Sequence, residues 1–548
     1  MREVSRNDIR KGQNGFLNKI GGGIDNVIEI FSPQRAFKRR AFRRAAGIQA
    51  SAIGSYRGAK TTRLNSDWNT FDSSADAALL SDLPALRTRS RDLERNDANA
   101  SGIINTVVCN DVGTGIKPQS RPDREAIGIN EQKAIKFQVA AERVWNTWLP
   151  FASADNRMDF YEIQALADRQ ILVTGEFIAI PMMLDEPNRP YSLALNIVDS
   201  DRLATPSNMS ANNKIRSGVE IGSRGQPIAY WIRKQRPEDF KFFASGARNT
   251  SDNFIRFDAV NSMGRKNVIH IYQMQRPGQS RGIPFFAPVI SYFRDLCKYM
   301  EAELVAARIA ACFAMVIEKT DPSGAASANT AEIATDGKRI EELEPGIVEY
   351  LKEGEKMSSF NPQRPGGTFE PFVIRILRSI SAALGLPYEL VAKDFSRTNF
   401  SSARAALLEA RRFFRMRQEW MARKLNQPMW DLLQEEAFLK GDLPAKNFFE
   451  NKTAYLRARW ITPGWEWVDP KKEAEASKLA MDAGISTLAD EAAAKGKDWE
   501  ENLAQIAREK KTIKAIEKES GVILFPNNAK ATATQPPPDE EEEGDEDR

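Results

Sequence analysis

The strongest constraint on the fold is one long helical pattern that runs from Pro284 to Val316 and has the sequence PFFAPVISYFRDLCKYMEAELVAARIAACFAMV. After Pro288 it contains neither Pro nor Gly, and it is rich in Ala, Leu, Arg, Glu and Met, which are good helix formers. A helix of about 30 residues would form a rod of roughly 45 Å. It is the longest uninterrupted helical pattern in the chain.

The apolar side chains of this pattern do not form a single narrow stripe. Large residues such as Phe293 and Met300 follow one face, whereas Ala307 and Ala311 leave other sides thin. A helix that is apolar or thin over so much of its surface should have neighbours on more than one side. The charged residues within it, among them Glu301, exclude a membrane-spanning helix of this length.

Composition limits the class of protein. The 548 residues predict two to four domains, and 42% hydrophobic with 28% charged residues is ordinary for a soluble protein. The three cysteines are widely spaced, and there is no signal peptide or membrane-length apolar run, so we expect a protein made and kept in a cytoplasm. The single histidine, His270, excludes a zinc site built from His and Cys, and we expect no metal or cofactor.

Charge is concentrated at the two ends of the chain. Residues 1–64 form a basic arm, in which residues 1–63 hold fourteen Lys or Arg and four Asp or Glu. Two interpretations of this arm stay open: it binds nucleic acid or a membrane surface, or it is a solvated helix or mobile terminus. Residues 526–548 end in the acidic run DEEEEGDEDR, cannot build a core and should be disordered.

The periodicity of the central part changes along the chain. Residues 65–283 show helical patterns and then strand patterns such as GEFIAIPMML and NVIHIYQM, which predict an α+β domain with a mostly antiparallel sheet. The later segments are a polar insertion with two strand-like pieces (317–368), a second helix (369–385), a polar loop (386–402), a third helix that Pro428 should kink (403–440), an aromatic, turn-rich return (441–468) and a further helical region (469–520).

Patterns that suggest catalysis are weak. The segment Gly278 to Gly282 fits G-x-S-x-G between a predicted strand and a predicted helix, but no histidine follows Ser280 to act as the base of such a triad. There is no Walker motif, and no third ligand lies at a telling spacing from the acid pairs Asp199/Asp201 and Glu341/Glu342. We therefore expect a protein that is not an enzyme, and neither a serine hydrolase nor a metal nuclease.

The polar loop before the third helix permits two interpretations. It is an ordinary connector, or it faces DNA and slides along phosphates through weak contacts that do not depend on sequence. The candidate DNA-facing residues are Lys393, Asp394, Arg397, Thr398, Asn399 and Arg404.

The order of these parts resembles the portal proteins of tailed bacteriophages, of the lambda-type family. The resemblance is carried by RPGQSRGIPFFAPVISYFRDLCKYMEAELVAARIAACFA and, after the insertion, by FNPQRPGGTFEPFVIRILRSISAALGLPYELVAKDFSRTNFSSARAALLEARRFFR. LRTRSRDLERNDANASGIINTVVCNDVGTGIKP, nearer the start, is similar to that family's opening helix. The resemblance covers about residues 65–470.

The resemblance implies an α+β subunit of a ring, usually of twelve copies, with DNA passing through its centre. Phe293, Met300, Ala307 and Ala311 would pack the stem, and the six candidate residues above would belong to the tunnel. The parts would be a wing (65–283, returning at 441–468), stem helix 1 (284–316), a small α/β clip (317–368), stem helix 2 (369–385), a tunnel loop (386–402), a tunnel helix (403–440) and a helical crown (469–520).

The same resemblance implies partners and a location. The ring would sit at one capsid vertex of the virion as the head–tail connector, and would assemble in the host cytoplasm. It would bind the terminase large subunit during DNA packaging, head-completion proteins afterwards, and major capsid or scaffold proteins, with genome ejection through the same channel and no membrane partner. The alternative is a basic, non-enzymatic DNA-binding scaffold protein outside any capsid.

Overall fold

The computed structural model describes residues 72–234, 253–312, 316–319, 355–358, 369–465 and 470–520. The predicted basic arm, the acidic tail and most of the predicted clip lie outside these ranges. The described residues combine helices with antiparallel strands, so the mixed class predicted from the sequence is confirmed. No helix among them is long and apolar enough to cross a membrane.

The helices of the described residues carry most of the architecture. In chain order they are α1 (Ala75–Leu79), α2 (Leu83–Asn96), α3 (Ala98–Asp111), α4 (Arg124–Ile127), α5 (Glu131–Trp148), α6 (Phe160–Thr174), α7 (Ile290–Cys312), α8 (Phe369–Leu384), α9 (Tyr388–Ala392), α10 (Phe400–Met421), α11 (Gln427–Lys440), α12 (Lys452–Tyr455), α13 (Pro470–Asp482), α14 (Leu488–Ala494) and α15 (Trp499–Ser520).

The strands pair in antiparallel fashion, in the orders β3-β2-β8 and β4-β5-β6-β7, with the separate pairs β1-β11 and β9-β10. Their bounds are β1 (Lys117–Ser120), β2 (Glu176–Met183), β3 (Leu193–Val198), β4 (Ile215–Arg216), β5 (Val219–Ile221), β6 (Pro227–Arg233), β7 (Phe254–Asp258), β8 (Ile269–Tyr272), β9 (Val316–Lys319), β10 (Glu355–Ser358) and β11 (Ala458–Ile461). The β1-β11 pair joins the late, turn-rich return to the early part of the chain.

The early segment that is similar to the family's opening helix is interrupted in the structure. It forms two helices, α2 and α3, because Asp97 adopts an extended backbone between them. The side chain of Asp97 accepts a hydrogen bond from the amide of Ala100 at 2.8 Å and so caps the second helix. In a continuous helix, Asp97 could not cap a helix N-terminus.

The long pattern of residues 284–316 becomes α7, which is shorter than predicted. It begins at Ile290, and an earlier start is unfavourable because Pro288 disfavours helical geometry in Ala287. At the other end Val316 belongs to β9 and pairs with Ser358, so the prediction that the helix reaches Val316 is wrong. A β-branched residue is well suited to such a strand.

The predicted break near Pro428 is confirmed. Residues Ala422–Asn426 form a π-helical turn between α10 and α11, directly before the proline. Proline has no amide hydrogen and its ring clashes with the carbonyl of the preceding turn, so a wider turn at this point relieves the clash.

Two hydrophobic clusters meet along this broken helix. The first surrounds Trp145, Trp148 and Trp430 and packs α5, α6 and α11 against the β3-β2-β8 sheet. The second packs α3, α7, α8 and α10 together around residues such as Phe293 and Phe414. The second cluster therefore fixes the base of α7 and the helix that follows the polar loop.

A buried carboxylate joins the sheet to the segment that leads into α7. Glu176, at the start of β2, is fully buried and accepts hydrogen bonds from Arg281 at 2.5 Å and from the amide of Gly282 at 3.1 Å. Arg87 of α2 lies 2.7 Å from the same carboxylate, and His270 of β8 lies 3.1 Å from it. Burial alone would raise the pKa of Glu176, but the two arginines and His270 lower it well below its usual range.

A second buried ion group holds α10. Arg417 is 2.5 Å from Asp111 of α3 and 2.5 Å from Asp168 of α6, and all three side chains are buried. Burial and the neighbouring Asp168 raise the pKa of Asp111 well above its ordinary value, although Arg417 opposes the shift. One guanidinium thus ties the third helix to two others.

The buried imidazole gives a pH-dependent contribution to stability. Burial lowers the pKa of His270, against the opposing effect of Glu176, so the unfolded chain binds a proton at pH values where the folded chain does not. The free energy of unfolding should therefore fall as the pH drops below about 6.5, by at most about 1.4 kcal/mol per pH unit. We expect His270→Gln to flatten this part of the profile of thermal midpoint against pH. An unchanged profile would contradict the assignment.

Removing the shared guanidinium should strongly destabilise the subunit. Arg417→Met leaves two buried carboxylates without a cation, which should lower the free energy of unfolding by about 3–5 kcal/mol. The matched control is Arg412→Met, an exposed arginine on the same helix, which should change it by less than about 0.5 kcal/mol. Urea unfolding followed by circular dichroism measures both, and equal effects would argue against the buried role.

Candidate functional site

The loop between α8 and α10 has a defined local structure. α8 is followed by Gly385, which has a φ of 69°, and the short helix α9 is followed by Lys393, which adopts the left-handed region with a φ of 54°. On the other side Asn399 caps α10, since its side chain accepts a hydrogen bond from the amide of Ser402 at 2.8 Å. The irregular part is shorter than residues 386–402, because α9 and the first turn of α10 lie within that range.

Asp394 shapes the loop with its own carboxylate. It accepts hydrogen bonds from the hydroxyl of Ser396 at 2.6 Å and from the amide of Ser396 at 3.0 Å. These bonds, that of the hydroxyl first, lower the pKa of Asp394, so the carboxylate stays ionised. Its contacts are those of a residue that fixes the turn.

The cations of the loop lie at the surface. Lys393 and Arg397 are exposed, and Arg397 lies 2.6 Å from the exposed carboxylate of Glu370 on α8. Arg404, in the first turns of α10, is 4.0 Å from Glu473 on α13. Exposed pairs of this kind contribute little to stability, so these cations can also pair with other anions.

The six candidate residues divide by what their side chains do. Lys393, Arg397 and Arg404 present positive charge, whereas Asp394 and Asn399 stabilise the local backbone. The sixth, Thr398, is half-buried and helps to line a small cavity of about 210 Å³ against α8. The structure thus brings five of them into one loop, with Arg404 on the helix that follows.

One charge of the basic third helix is structural. Arg417 is one of seven Lys or Arg between Arg404 and Lys424, but it is buried between two acids. Sequence reasoning missed this role although a signal was present. Arg417 falls at helical spacing between Phe414 and Met421, which are both buried. An arginine on the apolar stripe of a helix indicates a buried partner.

The predicted stem residue Phe293 lies inside the subunit. It is completely buried, and its ring centroid lies 5.3 Å from that of Phe286. Ala307 is half-buried, and the side-chain surroundings of Ala311 lie outside the described residues. One face of the first turns of α7 is therefore packed against its own subunit, while Tyr292 on another face is 47% exposed.

The second half of α7 presents apolar side chains to solvent. Met300, Leu304 and Val305 are 45%, 53% and 51% exposed. On the side of α8, Tyr299 contacts Phe372 edge to face, with ring centroids 4.8 Å apart. The helix thus packs against other helices of the subunit on one side and leaves these apolar side chains about half exposed.

The G-x-S-x-G motif has a structural explanation. The hydroxyl of Ser280 donates to Asp76 at 2.6 Å and its amide donates to the same carboxylate at 2.8 Å. The next residue, Arg281, enters the buried carboxylate cluster, and a side chain at Gly282 would clash with the backbone of Gly175. The motif forms a close crossing of two chain segments at the base of α7.

The acid pair that the structure describes is occupied by an arginine. Asp201 is 2.5 Å and Asp199 is 3.5 Å from Arg91. Glu341 and Glu342 lie outside the described residues. Within the described ranges, no group of three or more His, Cys, Asp or Glu could hold a metal ion.

Comparison with known proteins gives one consistent family. The lambda family of phage portal proteins matches residues 61–418. A probable portal protein of Halomonas phage phiHAP-1 is 26% identical over 469 residues, covering 84% of this chain and 86% of that protein. The portal protein of Escherichia phage N15 is 25% identical, covering 81% and 87%. Portal protein B of Escherichia phage lambda is 24% identical, covering 81% and 86%.

Two solved structures were also compared. A chain from the virion of a native gene transfer agent particle has a TM-score of 0.40 at 14% identity, covering 77% of this chain and 97% of that one. A chain from the neck of an empty particle of the same kind has a TM-score of 0.41 at 16% identity, with the same coverage. The family match spans more than half of the sequence, including α7, α8 and the loop before α10. The chain therefore belongs to the lambda family of phage portal proteins.

Proposed function

We propose that this phage portal protein works as a closed ring of twelve copies, which meet along the second half of α7 and enclose a channel for DNA. The observation that carries the proposal is the exposed apolar surface of Met300, Leu304 and Val305 on a helix whose Phe293 and Leu296 are already buried. Apolar side chains grouped on an exposed surface mark interaction sites, and here a second copy of the chain would cover them. Its role is structural, without catalysis.

The segments of the subunit take the parts named above within this ring. Residues 65–283 and 441–468 form the wing, which the β1-β11 pair supports, since it ties the return to the early part of the chain. α7 and α8 form the stem, supported by the contact between Tyr299 and Phe372. Residues 317–368 form the clip, at whose base β9 pairs with β10. Residues 469–520 form the crown.

The loop of residues 386–402 faces the channel in this proposal. Lys393 and Arg397 supply exposed positive charge, held only by weak surface pairs. Contacts between such cations and phosphate carry no sequence information, so DNA can move past them in either direction. A channel must not hold its cargo tightly, and a few scattered cations meet that condition better than a dense patch.

Partners and location follow from the same proposal. The ring sits at one capsid vertex of the virion, among major capsid and scaffold proteins, after assembly in the host cytoplasm. The clip binds the terminase large subunit while DNA is packaged and head-completion proteins afterwards, and the genome leaves by the same channel. Family membership favours this function over the alternative of a basic DNA-binding scaffold outside a capsid.

A carboxylate on the exposed face of α7 should prevent the ring from closing. Leu304→Asp places a charge where a second copy would bury an apolar side chain, which costs several kcal/mol per contact. Mass measurement by light scattering and negative-stain images should show closed rings for the unchanged protein and subunits or small oligomers for the variant. Ile135→Asp, at a similarly exposed position of α5, is the matched control and should still form rings. A persistent monomer of the unchanged chain at high concentration would overturn the proposal.

Removing the charge of the loop should impair DNA packaging without affecting assembly. We expect particles that carry Lys393→Ala with Arg397→Ala to protect several-fold less DNA from nuclease, while rings of normal mass still form. Glu370→Gln breaks the pair with Arg397 but keeps both cations, so it should package normally. Normal packaging by the double variant would exclude a channel-facing role for this loop.

A further inference from the structure

A large cleft runs beside β8 on the wing side of the subunit. It has a volume of about 1050 Å³ and lies between β8, the β5-β6 hairpin and the end of α10 at Trp420. Its floor is partly apolar, with Val219, Ile221 and Val268 among the lining residues. The portal function described above does not use it.

The cleft exposes the edge of a strand. Side chains of consecutive strand residues point to opposite faces of a sheet, yet all four residues of β8 line this one cleft. The cleft must therefore follow the backbone of β8, which is the outer strand in the order β3-β2-β8. The side chain of His270 is 2% exposed although the residue as a whole is half-buried, so its accessible atoms belong to the backbone. An open edge of this kind accepts an additional strand.

The acidic and basic side chains that line the cleft are all basic. Its lining contains four cations, Arg216, Arg224, Lys266 and Lys424, and no Asp or Glu. Arg216 is engaged with Asp76 at 2.9 Å. The other three are exposed, and none of them pairs with an acid among the described residues. An occupant should therefore be an extended segment that carries negative charge.

We propose that the acidic C-terminal tail of this chain, residues 539–547, binds in this cleft as an extended segment along β8. The chain continues for 28 residues beyond α15, and residues 539–547 hold eight acids. Like charges repel one another and extend such a segment, which favours a strand-like conformation. Pro536, Pro537 and Pro538 have no amide hydrogen, so pairing with β8 begins after them. The 18 residues between Ser520 and Asp539 would span roughly 25 Å as a flexible linker.

Hydrogen exchange of the full-length chain tests the proposal. The tail variant replaces Glu540, Glu541, Glu542 and Glu543 by Gln, which removes charge without touching the cleft. We expect the amides of β8 to exchange several-fold faster in this variant than in the unchanged chain. Raising the salt concentration to about 1 M should have the same effect on the unchanged chain, because charges are then screened beyond about 3 Å. Equal exchange of β8 in the variant and the unchanged chain would overturn the proposal.

Reversing the charges of the cleft and of the tail tests whether these two parts of the chain pair. Lys266→Glu with Lys424→Glu should release the tail and accelerate exchange of β8, and adding Glu540→Lys with Glu541→Lys should restore protection. Lys133→Glu with Lys136→Glu makes the same change of charge on the exposed face of α5 and should leave β8 unaffected. If unchanged chains mixed with the tail variant restored protection of the variant's β8, the occupant would be the tail of another copy. That result would overturn binding within one chain.

Discussion

The subunit depends on one buried carboxylate. Glu176 has no solvent around it, so its charge is tolerable only because Arg87, Arg281 and His270 approach it from α2, from the segment before α7 and from β8. Removing an ion from water costs several kcal/mol, and each partner compensates part of that cost. The same contacts that keep the carboxylate charged therefore fix the direction in which the chain leaves the sheet and enters α7.

Arg417 fixes the position of α10, just as the Glu176 cluster fixes the segment that enters α7. It holds the third helix to α3 and α6, and the polar loop is attached to the N-terminal end of that helix. The exposed cations of the loop can therefore exchange partners while the helix behind them stays in place. The two buried ion groups separate the rigid part of the subunit from the surfaces that are free to meet other molecules.

Much of the fold could be predicted from local patterns. The second helix ends directly before Gly385, which adopts a positive φ that glycine tolerates without strain. Local patterns do not show which distant residue a strand or a side chain will contact. The pairing of β1 with β11 and the burial of Arg417 depend on residues hundreds of positions away, and the capping role of Asp97 competes with a helical pattern that continues past it. At the candidate site, Lys393 and Arg397 are exposed, and their predicted role in facing DNA stays a prediction. Asp394 and Asn399 were not recognised as turn and cap residues.

The π-helical turn at residues 422–426 limits the insertions and deletions that the chain can tolerate. Each residue of an α-helix turns the chain by about 100°, so the wider turn sets the phase of α11 relative to α10. Before it, Ala410 and Phe414 enter one cluster; after it, Met429 and Leu433 enter the other. Inserting or deleting one residue here would rotate one of these faces away from its core, although no core residue itself would change.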